Sequence, residues 1–266
     1  MLVLVLVIGF NSVDYEYEHE YDYEGRSITN TITSTSTNGS TNGSMMPHEV
    51  RVLEAVAEAL ERLYGDCEEH RCADGDPLDD LIETILSQNT SHVNRRRALE
   101  RLRSTYATWE AVLAAPREDV EEAIRPAGLA RVRSGRIQGL LRSILLERGA
   151  LDLGYLHDLT NEDAYADLLR YAGVGPKTAY CVLLFSMDRK VFPIDVHIHR
   201  ILIRLGIVPA DMSVEKAHPY VLPLIPPGRH LSLHLNLIAL GRETCRPTRP
   251  NCRECPLGRF CLYRGA

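Results

Sequence analysis

The stretch DLLRYAGVGPKTAYCVLLFSMDRKVFPIDVHIHR, residues 167–200, decides how the chain folds. Its pattern predicts a helix over 163–172, with Leu168 and Leu169 on the apolar side, broken by Gly173-Val174-Gly175. Two glycines one residue apart permit positive φ and close backbone approach. Pro176 suits the first turn of a second helix, where a missing N–H costs nothing. Ala179, Val182, Leu183 and Phe185 carry that helix on to Met187. The product is two helices joined by a tight glycine turn, with Lys177 at the start of the second. Asp195 then stands just ahead of another helical run over 196–205.

The chemistry on offer is specific. Amides bared by a glycine turn, added to a helix N-terminus, form a site for a phosphate. An amine there feels the positive end of the helix dipole, and desolvation acts in the same direction; both favour the neutral, nucleophilic form. A nearby carboxylate can stabilise positive charge on a sugar or move a proton. Together these groups suit attack on a sugar carbon of a nucleic acid. Each has a plainer role as well: a GxG turn can cap a helix, Lys177 can be a solvated lysine, and Asp195 can be an N-cap. Lysine usage bears on that choice. Lys177, Lys190 and Lys216 face 27 arginines, so an amine kept at 177 reads as one selected for its ability to lose a proton.

GVGPKTA at 173–179 followed by IDVHIHRI at 194–201 resembles the helix-hairpin-helix DNA glycosylases. Lys177 with Asp195 resembles the bifunctional endonuclease III family in particular. The resemblance implies that Lys177 is the nucleophile, that Asp195 is its catalytic partner, and that Gly173 and Gly175 shape a DNA-binding turn. The family's turn often opens Leu-Pro-Gly, whereas this chain has Tyr171-Ala172-Gly173; that departure leaves the catalytic pair intact.

No strand-like alternation or hairpin dipeptide competes with the helical periodicity, so the expected fold is all-α. Val50, Leu53, Val56, Ala57, Leu60 and Leu63 make 47–64 an amphipathic helix, and 78–86 is a strongly apolar one ending in Ser87-Gln88-Asn89-Thr90. Arginine-rich 92–106 follows, then a short helix over 117–125. The loop Ala127-Gly128-Leu129-Ala130-Arg131 leads into a long helix over 132–148 that faces a core through Ile137, Leu140, Leu141, Ile144 and Leu145. Helices over 214–224 and 229–240 complete the set. On the residues alone Gln88 and Asn89 are a polar helix end and Leu129 a packing leucine. By resemblance, Gln88 or Asn89 fills the gap left by a flipped nucleotide, and Leu129 is a wedge between base steps. Many relatives have an acid where this chain has His92, which leaves the preferred base open. His230 and His234 lie one turn apart but lack a third ligand, and read as solvated or hydrogen-bonded histidines. His197 belongs to the family's Asp-x-His pattern, while His199 points to another face of the helix.

Cys245, Cys252, Cys255 and Cys261 are separated by six, two and five residues. Four thiolates so close in sequence can surround one metal centre. Zinc sites of this kind usually pair two CxxC knuckles, and one occurs here; disulfides would leave one of seven cysteines unpaired. The six-two-five spacing resembles the iron–sulfur motif of the endonuclease III family, and the resemblance implies a [4Fe–4S] cluster with a structural role. Arg246 and Arg249 then face DNA phosphates from the loop between the first two cysteines. Cys67, Cys72 and Cys181 read as ordinary thiols.

Net charge is −6, but residues before Met45 hold six acids and one base; without them 29 bases meet 30 acids. From Ile225 onward seven arginines meet only Glu243 and Glu254, so the basic surface is local. Residues 1–45 begin with an apolar run too short to span a bilayer, and continue as an acidic Tyr/Glu repeat and Thr/Ser/Asn/Gly low complexity. They are expected to be disordered or an over-extended reading frame, with translation starting at Met45 or Met46.

After Met46 the resemblance implies two units: a six-helix barrel over 76–188, and a cluster domain from 46–75 with 189–266. The implied partner is bent double-stranded DNA carrying damaged bases or abasic sites, bound by a monomer in the cytoplasm, at the nucleoid, with no membrane involved. The implied reaction removes an oxidised pyrimidine through a Lys177 imine and nicks the strand by β-elimination. A mismatch-directed glycosylase of the same superfamily, acting on adenine or thymine without cutting, shares the fold. A non-catalytic helix-hairpin-helix binder shares the glycine turn.

Overall fold

The computed structural model describes residues 47–70, 75–88 and 90–263. The expectations for residues 1–45, Cys72, Asn89 and the His92 side chain lie outside the described residues.

Among these residues there are eleven α-helices and no strand: α1 (His48–Tyr64), α2 (Pro77–Ser87), α3 (His92–Thr105), α4 (Trp109–Ala114), α5 (Arg117–Ile124), α6 (Ala130–Arg148), α7 (Asn161–Leu168), α8 (Pro176–Met187), α9 (Val196–Arg204), α10 (Val214–Val221) and α11 (His230–Glu243). The fold is all-α. None of these helices is long and apolar enough to cross a membrane.

Local chemistry starts most helices. Asp76 accepts from Leu78 N at 2.8 Å ahead of Pro77, and Ser91, Thr108, Thr160 and Ser213 each take an amide of the first turn of α3, α4, α7 and α10. Gly149, at φ 76°, ends α6.

Buried apolar side chains form two clusters. The first joins α2 through α8 and reaches Val191, with Leu231 of α11. The second joins Leu53, Val56, Ala57 and Leu60 of α1 to Phe192, Ile194, α9, α10 and most of α11. The chain passes from one cluster to the other between Val191 and Phe192, immediately before Asp195.

Several expected faces differ. Leu63 and Leu145 are exposed, and so is Leu169, which caps α7 rather than lying inside it. That helix stops at Leu168 because residues 169–172 close into turns, with Arg170 N bonding to Asp167 O and Tyr171 N to Leu168 O. Tyr171, where the turn opens, is buried. The helix α4 and the 3-10 turn Gly154–Asp158 are additions to the expected set.

Candidate active site

Lys177 is the second residue of α8 and is half-buried. One turn on, Cys181 is only 3 % exposed, and the charge of Lys177 acts on its thiol. Burial pushes that thiol up, so the sulfur beside the amine is protonated rather than a competing anion. Of the two turn glycines, Gly173 has φ +88° and needs the freedom glycine supplies. Gly175 does not: its φ is −101°, and an added Cβ would meet nothing within 4 Å. The expected positive φ and close approach therefore hold at Gly173 alone, and Gly175 is the N-cap ahead of Pro176.

Asp195 caps α9. Its Oδ1 accepts from His197 N and Ile198 N, both at 2.9 Å, which leaves Oδ2 as the oxygen available for chemistry. Lys177 and Asp195 both act electrostatically on His234, a side chain of α11 that is 2 % exposed. Burial lowers His234 to about 4, so it is neutral at ordinary pH. His234 therefore belongs to the hydrogen-bonded alternative and not the solvated one; its Nδ1 lies 2.9 Å from Pro193 O. His199 lies with Nε2 2.9 Å from Met212 O.

The loops expected to meet DNA converge on the start of α6. Leu129 is its N-cap, in the left-handed region at φ 48° and 61 % exposed. Arg133, one turn along and 2 % exposed, donates to Ala127 O and to Gln88 O. Arg136 donates to Gln88 Oε1 at 3.2 Å, and its Cδ lies 3.8 Å from where a Cβ on Gly173 would be. Gln88, Leu129 and the Gly173 turn thus share one helix as support.

Four cysteines line a single cavity of about 390 Å³. Among the described residues no three His, Cys, Asp or Glu side chains converge as they would on one metal ion. Four thiols lining one cavity supply the kind of donor set that a [4Fe–4S] group takes. Burial raises Cys255 and Cys261. The arginines of α9 hold this loop. Arg200 Nη2 donates to Cys245 O at 2.8 Å and to Gly241 O at 2.9 Å. Arg204 Nη1 donates to Cys245 Sγ at 3.1 Å and to Arg246 O at 2.8 Å. The close approach of α11 to α9 depends on Gly241, whose added Cβ would sit 2.7 Å from His197 Cβ. Arg246 and Arg249 are exposed beside the cavity.

The supporting residues Cys181, Arg133, Arg136 and Arg204 carry no motif of their own, and Arg200 falls inside the 194–201 stretch without a role assigned to it. The one available signal was the spacing of Arg200 and Arg204, which puts both on one face of α9.

The family described as HhH-GPD superfamily base excision DNA repair protein matches residues 82–226. Endonuclease III of Thermotoga maritima is 31 % identical over 188 residues, covering 71 % of this chain and 84 % of that protein. The chain belongs to the endonuclease III family of helix-hairpin-helix base excision DNA repair proteins. An Arabidopsis thaliana protein named as a candidate DNA glycosylase is 35 % identical over 192 residues, covering 69 % of this chain and 66 % of that protein. The Arabidopsis DNA glycosylase/AP lyase ROS1 is 31 % identical over 183 residues, of which the chain spans only 13 % of the protein's length. A solved trapped endonuclease III–DNA covalent intermediate superposes with a TM-score of 0.65 at 25 % identity, covering 81 % of this chain and 96 % of that one.

Proposed function

We propose that this family member is a DNA glycosylase with abasic-site lyase activity, acting on oxidised pyrimidines in double-stranded DNA. The observation that carries the reading is the Lys177 amine at the start of α8 with the Asp195 carboxylate capping α9, two groups close enough to act on the same buried His234. The name of the trapped covalent endonuclease III complex adds support from a relative.

Lys177, as the free amine, attacks C1′ of the flipped nucleotide. The C1′–N bond breaks, and the base leaves with its electron pair and takes up a proton. Asp195 Oδ2 offsets positive charge growing on the sugar and accepts the proton lost by the attacking amine. Ring opening leaves an imine between Lys177 and C1′. Loss of a C2′ proton then expels the 3′ phosphate by β-elimination, and water releases the enzyme.

Gln88 and Leu129 fill and hold open the site of the flipped nucleotide, and the Gly173 turn takes a backbone phosphate. DNA runs between a barrel unit, 76–188, and a second unit, 46–75 with 189–266; the two hydrophobic clusters support that division. The protein acts as a monomer. Cys245, Cys252, Cys255 and Cys261 hold a [4Fe–4S] cluster that braces the loop presenting Arg246 and Arg249. When bound, it supplies rigid cross-linking of that loop.

Borohydride trapping on a duplex with one abasic site tests the reading, with wild type and Lys177→Ala side by side. A covalent adduct in wild type alone is the expected result. No adduct from folded wild-type protein would overturn the lyase assignment, and base release without strand cutting would then make it a monofunctional glycosylase.

A further inference from the structure

Asp195 is presented by a segment without regular structure. Residues 188–195 lie between α8 and α9, and Val191 to Ile194 are buried. Buried peptide groups outside helices need partners from elsewhere in the fold. Here the single peptide group joining Pro193 to Ile194, just ahead of Asp195, is held at both ends by two histidines. His234 Nδ1, on α11, lies 2.9 Å from Pro193 O. Ile194 N donates to His218 Nε2, on α10, at 3.0 Å.

The chemistry of the partners fixes both tautomers. A carbonyl can only accept, so His234 Nδ1 carries the hydrogen. A backbone N–H can only donate, so His218 Nε2 is a lone pair, and its Nδ1, 2.8 Å from Val214 O, carries the hydrogen. Burial lowers both histidines, in keeping with two neutral rings. One donates and the other accepts, on successive residues of the same strand of chain.

Both rings also rest on the helix that carries Lys177. His218 stacks on Tyr180 of α8 at 5.0 Å, and Tyr180 stacks on Tyr165 of α7 at 4.5 Å. His234 meets Phe185 of α8 edge-on at 5.6 Å and Phe192 at 6.2 Å. The rings therefore tie the backbone leading to Asp195 to the face of α8, across the point where the chain leaves one hydrophobic cluster for the other.

We propose that His218 and His234 are positioning residues that set Asp195 against Lys177, acting through the two ends of the peptide group that joins Pro193 to Ile194. The proposal rests on Lys177 and Asp195 being the reacting pair. Misplacement by about an ångström costs up to roughly a hundredfold in rate, so this support shows in the chemical step and not in DNA affinity.

Four variants test it. His234→Asn keeps an N–H near the Nδ1 place, and His218→Gln keeps an acceptor oxygen near the Nε2 place. His234→Leu and His218→Leu keep bulk and remove the bonds. Three readouts are taken: the single-turnover rate of borohydride-trapped adduct on saturating abasic duplex, the Kd for a duplex with a reduced abasic site, and amide exchange across residues 190–200.

The leucine variants are expected to form adduct at least about tenfold more slowly, with Kd within about twofold and faster exchange across Ile194 to Ile198. The amide variants should recover most of the rate. Leucine variants that react as fast as wild type, or amide variants as slow as leucine ones, overturn the proposal. Should the leucine variants fail to fold, the amide variants decide: a rate near wild type supports it, and a tenfold loss overturns it. If wild type itself forms no adduct, the lysine reading falls while the exchange data still test the histidines; unchanged exchange would overturn their role.

Discussion

Arg133 of α6 donates from its buried guanidinium to the main-chain oxygen of Gln88, 45 residues earlier in the chain. The same side chain donates to Ala127 O. One arginine thus fixes both the loop ending α2 and the loop leading to Leu129. Arg133→Leu should leave two carbonyls without their charged donor and lower stability by about 3 kcal/mol. Chemical denaturation measures that loss, and binding to abasic duplex should weaken with it. Full stability in the variant would mean that water replaces the guanidinium.

Leu129 sits at φ 48°, a conformation costing a branched residue roughly 1 kcal/mol. Leu129→Gly relieves the strain while removing the exposed side chain. It is expected to melt no lower than wild type, yet to bind lesion-containing duplex more weakly. A variant with unchanged affinity would reduce Leu129 to a surface residue.

Asp195 is both an N-cap and the proposed catalytic carboxylate, and two substitutions separate the roles. Asp195→Asn keeps an oxygen for His197 N and Ile198 N, so Tm should hardly move while adduct formation falls steeply. Asp195→Ala loses the cap too, at about 1 kcal/mol. Adduct formation by Asp195→Asn at the wild-type rate would confine the residue to capping.

His234 gives stability a pH dependence with a definite sign. Its folded pKa is lowered from 6.5 to about 4, so the unfolded chain takes up the proton first as pH falls. The stability tied to its neutral form is complete above about pH 6.5 and is lost progressively toward pH 4, on the order of 3 kcal/mol in total. Urea denaturation at stepped pH should show this slope in wild type, and His234→Asn should flatten it over that window. An unflattened slope would assign the acid loss to other groups.

Much of the fold was legible because helices announce their ends. Asp76 before Pro77, Ser91, Ser213 and Gly149 bond within two to four residues of themselves, so reading such ends needs no tertiary information. The same holds for the paired glycines, Lys177 at a helix start, Asp195 as a cap and the spacing of the four cysteines. Periodicity was less reliable at helix edges. Leu63, Leu145 and Leu169 fit an apolar stripe, but the residues that would cover them lie elsewhere, and all three meet solvent. The helix expected over 163–172 ran past its end at Leu168: residues 169–171 bond their amides back into turns and have no need of a third helical turn.

The sequence by itself determined the all-α class, the glycine turn with its lysine, the capping aspartate and the cysteine motif, since each depends on residues close to one another along the chain. Tertiary structure alone decided what surrounds them. It buried the thiol of Cys181 one turn from Lys177, joined the Gln88 and Leu129 loops through Arg133, set α9 arginines on the cysteine loop, and seated two neutral histidines on the backbone ahead of Asp195. Those partners are ordinary residues in chain order. Only burial removes water as their alternative, and with water gone each buried donor and acceptor must find the one partner the packing brings to it.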